Sequence, residues 1–555
     1  MQEYRPTRSD VYEVNDPEAD SVAVCEIHDQ NTDEPGTTLI APEIAERATS
    51  NTPRTRLFVH DVALTMGAEI AVLLSGLLTV SILSRWVGAH ALSEYLLLRR
   101  VLTWMVASMF LGFATGLPRY VAQARGRRQG DEHMYFVAAL ICLLPFCGCI
   151  AVALVYYRNA FARLLFGGVE ETALVLALAI MLLGFALHRT VYGYYRGLLS
   201  MARANALEVC NLAVMPLIVV VLLHRTRSVA LMVDAIGCLT ILCSALFAMP
   251  LLRWVGRIFS RTMLDCSKEL LRYGVTRVPG ECGAAALTAL GPVLAAHFLK
   301  LTQVLPLLLG LNILMVTGYA AGPLGVVLLS KVSMMLGQEQ HEAVRTRLRF
   351  LVTAIIELSV FTCLQLVLFA DVAVRAWVGS EYVGQMGVIR LVLLAIPSYL
   401  FYMALRSTID AVTIKPCNTA NVSISLALYL VLVAVSIKFF PSRFLLVGIA
   451  GSLLGAQILL GFLTARTFHK LYGLSVPWGR LAPSLLMALL LTCGAYAFRL
   501  FWNTHISPLQ ALLLELMLIS IYLAVLARRG SGWIAYTWHV GIRGRTGWHF
   551  RSAQP

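Results

Sequence analysis

From about residue 62 to residue 527 the chain alternates long apolar stretches with short polar joints. The stretches fall at roughly 62–84, 95–118, 134–157, 172–194, 207–223, 229–252, 274–299, 305–330, 350–370, 388–410, 420–437, 444–465, 481–498 and 509–527. A helix of about 20 residues crosses the ~30 Å of bilayer hydrocarbon. The pattern therefore predicts an all-α, polytopic membrane protein of about fourteen transmembrane helices, with a short fifth span and a seventh interrupted at Pro279-Gly280. No joint is long enough to be a domain. The widest joint on the outward side, about 371–387, is a small connection.

Composition agrees: 58% of the 555 residues are hydrophobic and 14% charged, and the mean hydropathy is +0.73. Soluble chains carry about 45–50% apolar and about 25% charged residues. The 12 cysteines are scattered, mostly inside apolar stretches, and pair with no histidine pattern of zinc spacing, so neither a metal nor a cofactor is expected. The net charge of +14 is unevenly spread, because residues 1–60 hold 12 acids against five arginines. That segment reads as an acidic, disordered tail. The remaining basic surplus sits in short joints, and no basic stripe interleaved with aromatics suggests nucleic acid.

Those bases set an orientation. The joints 119–133, 195–206, 253–273, 331–349, 411–419 and 466–480 hold 19 Lys and Arg, against ten in the opposite set. By the positive-inside rule the richer set and both termini are expected in the cytoplasm of a cell (inner) membrane. Segment 253–273 mixes bases with apolar residues at helical spacing and is expected to be an amphipathic linker.

The chain also resembles itself at a shift of about 211. AFARLLFGG (160–168) falls on DVAVRAWVG (371–379), RYVAQARG (119–126) on SKVSMMLG (330–337), and Glu69 near Glu281. The expected organisation is a tail (1–60), a six-helix lobe (61–252), the linker (253–273), a second six-helix lobe (274–466), two additional spans (467–528) and a basic cytoplasmic tail (529–555). Two lobes of an even number of spans share one orientation, and such an arrangement places a substrate cavity between them near the midplane.

The stretch 82–132 contains Gly88, Tyr95, Gly116-Leu117, Arg119-Tyr120-Val121-Ala122 and a basic joint running from Gly126 to Asp131. In this order of features it resembles the first helical hairpin of polysaccharide-type flippases, within the multidrug/oligosaccharidyl-lipid/polysaccharide (MOP) superfamily. The resemblance covers about residues 60–530 and implies alternating access. It further implies export of a polyprenyl-pyrophosphate-linked oligosaccharide from the cytoplasmic to the outer leaflet, alongside glycosyltransferases or a polymerase of a polysaccharide pathway. A lipid-linked peptidoglycan precursor flippase and a multidrug antiporter of the same superfamily are the alternatives.

Ionisable residues inside spans are costly and mark candidate sites. Arg99 and Arg100 in the second span, and Arg277 at the start of the seventh, are expected to bind an anionic head group, since a guanidinium offers a planar donor fork to phosphate. Glu69, Glu281 and Glu357 are candidates for coupling or gating, with Arg277 and Glu281 four residues apart on one helix face. Arg406 with Asp410, and Arg189, read as interfacial pairing. The chain has no GxxxxGK[ST] pattern and no cluster of histidines and carboxylates at a large loop, so an enzyme is not expected.

Overall fold

The computed structural model describes residues 52–127, 132–251, 261–337, 341–412, 416–501 and 507–529. The expected tails at 1–51 and 530–555, and residues 252–260 of the linker, lie outside the described residues. Among those described there are helices and turns but no strand. In lipid every backbone N–H and C=O must be satisfied within the chain, and a helix does this locally.

In chain order the helices are α1 (Thr52–Ile82), α2 (Ala89–Met109), α3 (Phe113–Arg127), α4 (Glu132–Tyr156), α5 (Arg158–Phe166), α6 (Thr172–Gly197), α7 (Met201–Val209), α8 (Met215–Leu223), α9 (Val229–Ala248) and α10 (Arg261–Val275). Then come α11 (Val278–Ala296), α12 (Leu301–Gly337), α13 (His341–Leu368), α14 (Ala370–Trp377), α15 (Met386–Leu393), α16 (Ile396–Val412), α17 (Cys417–Phe439), α18 (Ser442–Tyr472), α19 (Trp478–Phe501) and α20 (Pro508–Arg528). Among the described residues thirteen stretches are long and apolar enough to cross a bilayer, or fourteen when α2 and α3, bent by 48°, count as one span. His60–Pro555 is one compact unit, and Thr52–Val59 are the first turns of α1.

Helices α3–α9 pack chiefly on one another, and α11–α18 do likewise. The two groups meet where α2 lies along α11 and α12. The added spans α19 and α20 dock on α13, where the Phe361 and Tyr522 rings stack 4.3 Å apart and Gln365 donates to Thr492 at 2.9 Å. Their outer faces carry exposed Leu486, Leu490, Leu512 and Leu516. Such a face is ordinary in lipid and would be an aggregation site in water.

Two expectations need correction. The fifth span is not short: it runs Met201–Thr226, with a π-turn at Cys210–Val214 between α7 and α8. Polar Arg203, Asn205 and Glu208 masked its first turns in a hydropathy reading, yet Asn205 and Glu208 are buried. The seventh span is not broken inside the membrane either. It begins at Val278, and Pro279 occupies its first turn, where a missing N–H costs no helical hydrogen bond. Of the linker, the described residues form a helix, α10, burying Met263, Cys266, Leu270 and Gly274. That face packs on α4 and α3 rather than only on a membrane surface.

The joint between α10 and α11 is tight. A Cβ on Gly274 would stand 1.7 Å from the carbonyl oxygen of Leu111, in the break between α2 and α3. The break itself holds Leu111 and Gly112 at positive φ, 51° and 67°.

The opposite end of the molecule is fastened crosswise. Trp377, closing α14, donates from its indole to the carbonyl of Leu77 in α1 at 2.8 Å, and Arg85 donates to the carbonyl of Ala376 at 2.6 Å. Reciprocally, α5 ends against α11: a Cβ on Gly167 would stand 2.2 Å from the carbonyl oxygen of Ala296. The short helices α5 and α14 are the segments that the internal repeat superposes. Each rests on the first span of the other half.

Asp371, in α14, ties α19 to this end. Arg499 donates to both its oxygens, at 3.2 and 2.8 Å, and Arg390 approaches at 3.5 Å. Burial pushes the Asp371 carboxyl up, but the Arg499 hydrogen bonds and charge, with Arg390, outweigh it and hold the group below the usual carboxylate range. A depressed native value contributes stability above the unfolded value, about 4, and that stability is lost as pH falls through the native one. Asp371→Asn should therefore lower the thermal midpoint by a constant amount above about pH 5, with the difference shrinking below about pH 4. A difference that persists unchanged in acid would mean the carboxylate charge contributes nothing.

Candidate functional site

Adjacent helix positions point about 100° apart, and α2 separates its two arginines accordingly. Arg99 is exposed, its guanidinium 5.7 Å from the centre of the Tyr95 ring. Arg100 is 5% exposed and faces the other group of helices. Its Nη1 donates to the Met315 sulfur of α12, and the Tyr319 and Tyr399 hydroxyls are its electrostatic neighbours. Among the described residues no carboxylate lies within 4.0 Å of it. A thioether and two phenols compensate poorly for taking a guanidinium out of water. This is a fixed positive charge at the seam between the two halves, with its counter-charge missing.

A second group gathers where α11 begins. Arg277 and Glu281 keep their helical relation, the Glu281 N–H donating to the Arg277 carbonyl at 3.1 Å, but their side chains form no ion pair within 4.0 Å. Arg277 instead lies 4.4 Å from the centre of the Tyr273 ring, and Arg119 of α3 stands 5.1 Å from that ring. Glu281 interacts first with Arg406 of α16 and then with Arg277. The expected Arg406–Asp410 pair does not form. Asp410 accepts from Asn418 at 2.9 Å, and Arg406 binds the Tyr402 hydroxyl. Two arginines, from the α11 start and α16, thus flank one glutamate, and Arg119 of α3 shares the Tyr273 ring with Arg277.

Glu69 belongs to a third group, which the sequence had shown only in part. Its electrostatic neighbours are Glu208 of α7 and Arg189 and Arg196 of α6. Beside it Tyr192 binds Glu208, His188 stacks on Tyr192, and Asn211 reaches His188 and Ser244, both at 2.9 Å. His188, Asn211 and Ser244 are fully or almost fully buried. Yet His188 Nε2, Glu208 Oε2, Asn211 Oδ1 and Thr240 Oγ1 have no hydrogen-bond partner. Buried polar atoms are rarely left so. Atoms left so can take a proton, a small cation or ordered water. Asn211 sits in the π-turn, which rotates it inward, and such turns are frequent at functional sites. Glu208 and His188 were not singled out from sequence. Both lie within apolar spans, and that placement was the available signal.

Glu357 stands apart from all three. It is 2% exposed on α13, and its carbonyl accepts from the Tyr522 hydroxyl of α20 at 3.2 Å. The structure therefore places it toward the added spans and brings it together with neither Glu69 nor Glu281. A cavity of about 440 Å³ near the Asp371 cluster, lined by Leu364, Leu368, Arg390, Tyr496 and Arg499, is likewise separate from the seam.

The sequence matches no protein-family model and no curated protein. Solved structures do share its fold. A lipid II flippase, MurJ, in an inward closed conformation, aligns over 86% of this chain and 100% of its own, with a TM-score of 0.59 and 13% identity. An inward-facing multidrug resistance MATE family transporter of the MOP superfamily aligns over 75% of this chain and 99% of its own, with a TM-score of 0.58 and 15% identity. A eukaryotic MATE transporter aligns over 75% and 98%, with a TM-score of 0.53 and 16% identity. The chain is thus a multi-pass membrane protein that carries the fold of the MOP superfamily of transporters.

Proposed function

We propose that the chain is a secondary transporter that flips an amphiphile with an anionic head group, a polyprenyl-pyrophosphate-linked oligosaccharide, by alternating access of its two halves. Arg100 carries this reading. A buried guanidinium without a counter-charge, set where the halves meet, is stabilised when a phosphate enters. The arginines around Glu281 form a basic mouth on the side expected to face the cytoplasm, through which the head group enters while the lipid chain stays in the bilayer. The likeness to a lipid II flippase, over 86% of this chain and all of that one, supports a lipid-linked cargo. The group of Glu69, Glu208 and His188 is the coupling site in this reading, taking up a proton or small cation as the halves exchange.

Reconstitution into proteoliposomes tests it directly. A fluorescent polyprenyl-pyrophosphate oligosaccharide should become accessible to a quencher on the far side, whereas a cationic dye should not be accumulated. Dye accumulation without lipid flipping would establish the multidrug reading instead. Preference for a peptidoglycan precursor over the oligosaccharide would reassign the cargo within the same chemistry. In the same vesicles, Glu208→Gln and Glu69→Gln should each make flipping insensitive to an imposed proton or sodium gradient while leaving substrate binding intact. Gradient-driven flipping at wild-type rates in both variants would remove this group from coupling.

A further inference from the structure

At the start of α2, two residues after the positive-φ Gly88, His90 Nε2 lies 3.2 Å from Glu94 Oε1. Glu171, closing the 3-10 turn that precedes α6, brings a third donor. One ligand atom from each of the three residues lies within 4.8 Å of the others. His90 is solvent-facing at 64% exposure, while the Glu94 side chain is only 15% exposed and turned onto Glu171. Glu170 adds a further negative neighbour, and the interactions of Glu94 and Glu171 include no arginine or lysine. Two half-buried carboxylates facing each other with a single imidazole beside them are short of positive charge. By contrast, Glu69, Glu281 and Asp371 each have guanidinium neighbours.

We propose that His90, Glu94 and Glu171 bind a divalent transition-metal ion, Zn2+ by preference. One imidazole nitrogen and two carboxylate oxygens suit zinc, whose bonds to such atoms are about 2.0–2.2 Å and tetrahedral. Three corners of that tetrahedron are about 3.3–3.6 Å apart, so the His90–Glu94 spacing is close to what the ion needs and Glu171 closes by a small rotamer change. The imidazole and the low ligand number disfavour Ca2+ and Mg2+, which take six or more oxygens. Water completes the fourth corner from the open His90 side. The ion joins the first turns of α2 to the start of α6, and so braces the helix that carries Arg100. No cysteine takes part, which is why a cysteine-and-histidine spacing search of the sequence passes over the set.

The experiment is a Zn2+ titration by calorimetry on the purified full-length protein in detergent, beside Ca2+ and Mg2+. Thermal melting is followed with and without Zn2+. One Zn2+ per chain should bind and raise the melting midpoint, while Ca2+ and Mg2+ do neither. His90→Ala, Glu94→Gln and Glu171→Gln should each weaken Zn2+ binding by about tenfold or more and abolish the shift. Glu94→Gln is isosteric and keeps the fold, as its metal-free melting midpoint would show. No saturable Zn2+ binding would overturn the proposal and leave a shared proton between the carboxylates. Binding that is unchanged in all three variants would also overturn it, by locating the ion elsewhere, for instance at the exposed Cys149, Cys238 or Cys493.

Discussion

Replacing Arg100 by methionine should abolish flipping of a pyrophosphate-linked lipid while leaving the protein as stable as the wild type, or more so. The two effects have opposite causes. Arg100 is 5% exposed, and without substrate it faces the Met315 thioether and the Tyr319 and Tyr399 phenols. Exchanging a buried, poorly compensated charge for an apolar side chain of similar volume is often neutral or stabilising by about 1–4 kcal/mol. Losing a charge-assisted pair to phosphate removes about 1.5–3 kcal/mol per hydrogen bond. A bidentate contact therefore corresponds to a loss of about a hundredfold or more in head-group affinity. Arg100→Lys keeps the charge but not the fork and should recover only part of the rate. Arg99→Ala, on the exposed face, should reduce transport far less. The measurement is initial flipping rate in proteoliposomes beside thermal midpoint in detergent. A fully active Arg100→Met protein, or one that unfolds, would remove Arg100 from the cargo path.

Gly274→Ala should have the largest effect on folding. The added methyl would sit 1.7 Å from the Leu111 carbonyl oxygen, far inside contact distance, and 2.9 Å from its carbon. Neither side can yield cheaply. Leu111 is held at positive φ in the break of α2–α3, and Gly274 lies on the buried face of α10. Overpacking of this kind costs about 1–3 kcal/mol and more where backbone must move. The expected result is a sharply lower yield of monodisperse protein and a thermal midpoint several degrees below wild type. Gly126→Ala, with open space around the added methyl, serves as the control and should change neither. A wild-type midpoint for Gly274→Ala would mean the α10–α11 joint is looser than the close approach indicates.

Much of the architecture could be read before any coordinates. The apolar stretches became helices at nearly their expected positions because hydropathy and length decide insertion locally. The weak match of 160–168 with 371–379 marked α5 and α14, which prove to occupy reciprocal places. Arg100 was legible for the same reason that any charge in an apolar helix is: its cost is visible in one dimension. What could not be read was which charges meet. Pro279 looked like a break in a span, since its place at a helix start depends on where α10 stops. Glu208 and His188 gave no sign of their partnership with Glu69. Their neighbours come from other helices, and orphaned hydrogen-bonding atoms exist only in three dimensions. Glu357 resembled a coupling acid in sequence, but its carbonyl meets Tyr522 of an added span.

The crosswise fastening of α14 on α1 and of α5 on α11 has a further consequence. Its acceptors, the carbonyls of Leu77 and Ala376, belong to the main chain, as does the Ala296 carbonyl against which Gly167 closes. Side-chain replacement at an acceptor leaves the bond in place, so among the described residues mutational drift reaches these three contacts chiefly through Arg85, Trp377 and Gly167. Selection on how readily they part falls on the gripping residues more than on the backbone they grip.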